Sequence, residues 1–190
     1  FSDRNKKSSH NQPSFSHDSL DCRAGAKVIG NYLRHDKIEE LFVAGLLHDI
    51  GKIVEMLYLP DQFAKVVTTI NQQNILMLTA EESVLGYSHA EIGKFLADKW
   101  NLPIKLVQVI AHHHQPAAAG SFIMEAAVVH LADILCRALD MGYGGDNKIP
   151  PLDRFAWDSL RIKTDSIEMI METMQNEYNE ENAPKSLNKI

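Results

Sequence analysis

Ala44-Gly45-Leu46-Leu47-His48-Asp49-Ile50-Gly51-Lys52 is the stretch that decides how this chain is read. An apolar helical run ends there in an adjacent His-Asp pair, followed by a glycine and a lysine. Such a pair offers a divalent cation one imidazole nitrogen and one carboxylate from a single point of the backbone, a mixed donor set that suits Fe, Mn, Zn or Co. Gly51 is expected to let the backbone turn away tightly, and Lys52 to stand near the metal, where it can meet an anionic substrate. The dipeptide alone has a plainer explanation: a helix C-terminus where the histidine complements the dipole and the aspartate is solvated. Its weight comes from further His and Asp residues elsewhere in the chain.

Those residues sit in a chain of ordinary globular character. With 190 residues, 21.4 kDa and 45% hydrophobic content, it is long enough for one domain with a sizeable core. Mean hydropathy is −0.20 and no apolar run reaches the ~18 residues of a membrane span. No secretory apolar region stands at the start, and a cytoplasmic location is expected. The chain opens on Phe1 rather than Met, which reads as a fragment or a processed chain. A net charge of −6 and a pI near 5.8 argue against a nucleic-acid surface, which needs a clustered basic face. Cys22 and Cys136 both lie in apolar helical patterns and are read as buried thiols in a reducing compartment rather than a disulfide. No CxxC spacing suggests a zinc ribbon.

Apolar spacing predicts helices throughout. Residues 1–13 are polar and aperiodic, a flexible lead-in. His17, Leu20, Ala24, Val28 and Tyr32 recur every three or four residues, one face of an amphipathic helix. A more buried helix is expected over 37–57, bent near Gly51, and Pro60 opens a third. Thr79-Ala-Glu-Glu82 and Ser88-His-Ala-Glu91 both match a capping box, suggesting two helices that meet at Gly86-Tyr87. Pro103 starts another helix ending near Gln115-Pro116, and a further one is expected from Ser121 to Met141. Two C-terminal helices follow near 153–161 and 165–178, with a polar tail over 179–190. Strand-like alternation is absent, so the fold class is all-α, with 14–178 as a single domain. The Gly142–Gly145 loop lacks the strand–helix context of a phosphate cradle and reads as a connector.

Nine histidines is a high count for this length, and their positions matter more. His17 opens the first helix, His48 and Asp49 close the second, and His89 lies in a first helical turn. His112, His113 and His114 end another helix just before a proline. Asp133 lies within the apolar stretch VVHLADILCRAL (128–139), where an unpaired buried carboxylate would cost several kcal/mol. Helix ends are where a bundle can converge side chains on one point.

From about Ser14 to Ile170 the chain resembles the HD superfamily of metal-dependent phosphohydrolases, in particular its HDOD branch, a relative of the HD-GYP cyclic-dinucleotide phosphodiesterases. The resemblance rests on AGLLHDIGK (44–52), ESVLGYSHAEIGKFLADKWNLP (82–103), IAHHHQP (110–116) and VVHLAD (128–133). It implies an HD-domain-like helical bundle and a metal-ligand string H…HD…H…HH…D. By motif, that string gives His17, His48, Asp49, His89, His113, His114 and Asp133. The Gly-Tyr-Pro signature is missing, replaced by Gln115-Pro116-Ala-Ala-Ala-Gly120. A third-metal glutamate of some HD-GYP proteins would fall near Pro13, so a trinuclear centre is not expected.

Each residue has a bland alternative. His89 can be an exposed first-turn residue and the histidine triplet a polar helix end; within the triplet the pattern selects His113 and His114, leaving His112 beside them or at the surface. His17 depends on a register that Asp18 and Ser19 could shift. His130 can orient Asp133 or be a satisfied core histidine, the favoured reading, and His10 and His35 read as surface. The resemblance implies one or two divalent ions (Fe, Mn or Zn), with Asp49 bridging two cations and Lys52 neutralising the charge of a phosphate-ester or nucleotide ligand. Two such metals would activate water for attack on a phosphoryl group. The function it implies is a phosphohydrolase or phosphodiesterase in bacterial signal transduction, with a signalling domain upstream or a partner protein. The alternative is a non-catalytic signalling or scaffolding module whose metal is structural or vestigial. A third is iron chemistry with oxygen.

Overall fold

A computed structural model describes the backbone of residues 15–141 and 143–182, and side chains from Asp21 to Glu180 apart from Gly142. The lead-in over 1–13, the end of the polar tail, Gly142 and the His17 side chain therefore lie outside the described residues. The helices are α1 (Phe15–Tyr32), α2 (Ile38–Leu47), α3 (Ile50–Tyr58), α4 (Pro60–Gln73), α5 (Met77–Leu85), α6 (His89–Lys99), α7 (Ile104–His112), α8 (Ile123–Ala138), α9 (Arg154–Leu160) and α10 (Ile167–Asn182). No strand occurs among the described residues, and the all-α expectation holds.

Several boundaries follow from residues noted in the sequence. Pro60 occupies the first turn of α4, where its missing N–H costs nothing. Ser88 accepts from the Glu91 N–H while the Glu91 carboxylate accepts from the Ser88 N–H, so the second capping box forms. The first does not. Helix α5 already begins at Met77, so Thr79 is inside it and has no orphan N–H to cap. Gly86 takes the left-handed conformation that ends α5, at φ 80°. Helix α8 starts at Ile123 after two short 3₁₀ turns and stops at Ala138, short of Met141, and α10 continues past Tyr178 to Asn182.

Three apolar clusters assemble the bundle. The largest joins α1, α2, α8, α9 and α10 around Ile29, Leu41, Val128, Leu131, Leu160, Ile170 and Met174. A second, Val66, Ile70, Met77 and Ala80, holds α4 to α5. The third, Ala97, Val107 and Ile110, is packed with Leu47 and Ile50 and ties α6 and α7 to the α2–α3 junction. Cys22 and Cys136 are buried in the main core, and neither is in a disulfide. The join between α2 and α3 thus has α6 and α7 on one side and α1 and α8 on the other.

Two glycines set how close those helices come. A side chain at Gly45 would meet the Arg23 backbone at 2.9 Å, which is the α1–α2 contact. A side chain at Gly51 would meet the His89 carbonyl oxygen at 1.9 Å. Gly51 is a helical residue of α3, so it does not make the turn expected of it. The chain breaks one step earlier, at Asp49 (φ −101°, ψ 14°), and Gly51 instead lets α3 lie against the start of α6.

Candidate metal centre

The break between α2 and α3 presents His48 and Asp49 together, both buried. His48 Nδ1 lies 2.7 Å from the Gly45 carbonyl oxygen. A carbonyl can only accept, so Nδ1 carries the proton and a neutral His48 keeps its lone pair on Nε2. The same device recurs at the end of α7, where His113 Nδ1 donates to the Ile110 carbonyl at 2.8 Å. At the start of α6 a carboxylate replaces the carbonyl. Glu81 of α5 accepts from His89 Nδ1 at 2.6 Å and from the His89 backbone N–H at 2.9 Å.

With their Nδ1 atoms tied down, these rings turn Nε2 toward Asp49. The distances are 3.3 Å from His48 Nε2 to Oδ2, 3.1 Å from His89 Nε2 to Oδ1, and 3.6 Å from His113 Nε2 to Oδ1. His114 Nε2 stands 2.9 Å from His89 Nε2. Proximity is not hydrogen bonding here: His48 Nε2, His113 Nε2 and Asp49 Oδ1 are buried without a partner of good geometry. Buried polar groups left so cost about 1–3 kcal/mol each, and a shared cation would satisfy all three. Two overlapping sets can hold a metal ion, His48–Asp49–His113 and His89–His113–His114, with donor atoms within 4.8 Å of one another in each. Imidazole and carboxylate donors at this spacing fit a divalent transition metal.

Electrostatics tell the same story for the metal-free protein. Burial works against charge at every group. At His48 the Asp49 carboxylate overrides it and holds the ring well above the usual imidazole range. At His89 the Glu81 carboxylate, helped by Asp49, overrides it and pushes the ring up to about 9. Burial prevails at His113 and His114, both held well below the usual range. Asp49 stays ionised because His48, Lys52 and His89 outweigh its own burial. His48 and His89 are thus the two rings whose surroundings favour the charged form.

Lys52 is buried too. Its ammonium donates to Asp49 Oδ2 at 2.5 Å and to the Gly144 carbonyl at 2.9 Å, so the connector loop closes onto the site. Beside it opens a cavity of about 110 Å³, lined among others by Lys52, His89, His114, His130 and Arg137. Asp133 is buried in α8 but joins neither ligand set. The backbone of His17 lies in α1, which packs along α8; its side chain is outside the described residues. His112 is half-buried and also stands outside both sets.

Around the centre stand residues that the sequence did not place there. Glu81 was legible only as part of a capping pattern, although its true partner lies on the next helix. Glu55 of α3 has both oxygens buried without a donor, and burial together with Glu81 pushes it up to about 8. Its signal was available: it lies seven residues after His48, on the same helical side as Lys52. His130 is the satisfied core histidine favoured from sequence, donating from Nδ1 to the His113 carbonyl at 2.8 Å and accepting from the Asp153 N–H at 2.9 Å. Arg137 pairs with Asp146 at 2.5 Å, and Asp146 also accepts from the Met77 N–H. His35 is half-buried and lies 3.9 Å from Glu125, not on the open surface expected of it.

The HDOD domain family model matches residues 1–116, a span that includes every donor of both ligand sets. The chain belongs to the HDOD domain family. An HDOD domain protein of unknown function from Geobacter sulfurreducens is 25% identical, with a TM-score of 0.71 over 85% of this chain and 61% of its own. Two further crystal structures share the fold. One, from Marinobacter aquaeolei VT8 and proposed as a signal transduction protein, has a TM-score of 0.76 at 16% identity, over 93% of this chain and 39% of its own. The other, from Shewanella amazonensis SB2B and proposed as a phosphohydrolase, has a TM-score of 0.64 at 22% identity, over 85% and 58%. An uncharacterized protein of Treponema pallidum is 27% identical over 146 residues, 76% of this HDOD chain. Ribonuclease Y of Thermus thermophilus is 36% identical over 95 residues, 50% of it. The chain spans 28% and 12% of the lengths of these two relatives. No helix among the described residues is long and apolar enough to cross a membrane.

Proposed function

We propose that this HDOD domain is a metal-dependent phosphohydrolase that works within bacterial signal transduction, cleaving a nucleotide or cyclic-dinucleotide phosphate ester. One observation carries the reading: three buried histidines with Nδ1 already engaged turn Nε2 toward the Asp49 carboxylate, and those of His48 and His113, with Asp49 Oδ1, have no hydrogen-bond partner. Similarity over half the chain to a ribonuclease supports phosphodiester chemistry. His48, His89, His113, His114 and Asp49 would hold the metal, with Asp133 and His17 completing the set from α8 and α1. A bound divalent cation supplies Lewis acidity and lowers the pKa of a coordinated water toward neutrality. The chain's own residues do the rest. Glu81 and the Gly45 and Ile110 carbonyls keep the rings oriented, and the burial of His48, His89 and His113 keeps bulk water from them. Lys52, at the edge of the cavity, is the cation that would neutralise a phosphoryl oxygen there.

The test is turnover of bis(p-nitrophenyl) phosphate by protein loaded with Mn²⁺, Fe²⁺ or Zn²⁺. Turnover lost in Asp49→Ala is the expected result. A metal-loaded protein inert on phosphomonoesters and phosphodiesters alike would reject catalysis.

One observation favours a second reading. Lys52 already gives Asp49 Oδ2 a cation at 2.5 Å. A protein that keeps this pair when metal is bound has a single metal with no open phosphate partner, and acts as a signalling or scaffolding module.

A further inference from the structure

Beneath the candidate centre lies a polar layer that no ligand assignment explains. Glu81 on α5 and Glu55 on α3 are both fully buried, and three of their four oxygens, Glu81 Oε1 and both of Glu55, have no donor. The fourth, Glu81 Oε2, takes two hydrogen bonds from one residue, His89. Leaving so many acceptors unsatisfied in the interior is costly, and structures retain such groups where they serve a site.

We propose that Glu81 is a positioning residue of the metal centre: it grips His89 at Nδ1 and at the backbone N–H, which aims Nε2 at Asp49. The inference rests on His89 being a metal ligand. The geometry leaves Glu81 little other work. Its two bonds fix both the ring and the first residue of α6, so the imidazole cannot rotate without breaking one. A carboxylate on the far nitrogen fixes the tautomer of a ligating imidazole and raises its basicity toward the metal. Helices α5 and α6 are thus tied together at the base of one ring.

Two readouts test this. In metal-free protein, the low-field imidazole N–H resonance that disappears in His89→Ala is assigned to His89 Nδ1. It is expected to be lost in Glu81→Ala and retained, shifted, in Glu81→Gln, whose amide oxygen can still accept. Zinc affinity, measured by chelator competition, is expected to fall about 10–100-fold in Glu81→Ala and less in Glu81→Gln. Glu81→Gln also serves if the alanine variant does not fold. An unmoved resonance, or unchanged affinity beside a zinc-binding wild type, overturns the positioning role alone. A wild type that binds no zinc overturns the metal reading itself, and the ligand role with it.

Discussion

The two oxygens of Asp49 live in different worlds. Oδ1 faces α6 and α7, where His89 Nε2 at 3.1 Å and His113 Nε2 at 3.6 Å approach without hydrogen-bond geometry. Oδ2 faces its own sequence neighbours, Lys52 at 2.5 Å and His48 at 3.3 Å. One side gathers imidazole nitrogens from distant segments, the other is a carboxylate oxygen already supplied with a cation. The contrast separates two jobs within one residue. On the proposed reading Oδ1 would take a metal, while Oδ2 is the oxygen already paired with a buried ammonium.

The strongest way to break that contrast is to remove the carboxylate. Asp49→Ala leaves the Lys52 ammonium buried without this carboxylate, and loss of one partner of such a pair costs about 3–5 kcal/mol. Urea unfolding of the metal-free variant should show that drop; stability equal to wild type would mean that Lys52 finds water.

Gly51→Ala attacks the Oδ1 side only. Its methyl would meet the His89 carbonyl, displacing α6, and a stability loss of about 1–3 kcal/mol is expected, with weaker metal binding. Unaltered metal affinity would show that His89 is dispensable.

Lys52→Met attacks the Oδ2 side only. Metal is expected to remain while phosphoester turnover falls about a hundredfold, the usual scale for losing one charge-stabilising donor. If metal is lost as well, the two sides are not separable.

The smallest effect is pH dependence. His89 rises from 6.5 to about 9 and Glu55 from 4.5 to about 8 in the folded metal-free chain, so both hold their protons more tightly folded than unfolded. The His89 contribution is full below pH 6.5 and lost as pH rises through 9, and Glu55 costs stability increasingly from pH 4.5 through 8. The melting temperature of metal-free protein should therefore fall between pH 6.5 and 9. A rise over that window would contradict the raised His89 and Glu55.

The same divide marks what the sequence could convey. The Oδ2 side is local, and His48, Asp49 and Lys52 can be read within one motif. On the Oδ1 side the histidines were legible because each stands at a helix end. Their orientation was not, since Gly45 and Ile110 act through carbonyls and Glu81 through a contact between helices. Helical periodicity carried the all-α class and most helix starts, with Pro60 and Ser88 as clear punctuation. It failed at Thr79, where Met77 already begins the helix, and at Gly51, whose role depends on a helix packed across from it. A glycine needed for close approach looks the same in sequence as one needed for a turn.

The most direct test of the Oδ1 site is metal content per chain, by elemental analysis of protein purified without chelator or added metal, beside Asp49→Ala. One or two equivalents of Fe, Mn or Zn in the wild type, absent from the variant, is the expected result. No metal in either protein, and none taken up on reconstitution, would contradict it and leave the converging histidines without a cation to bind.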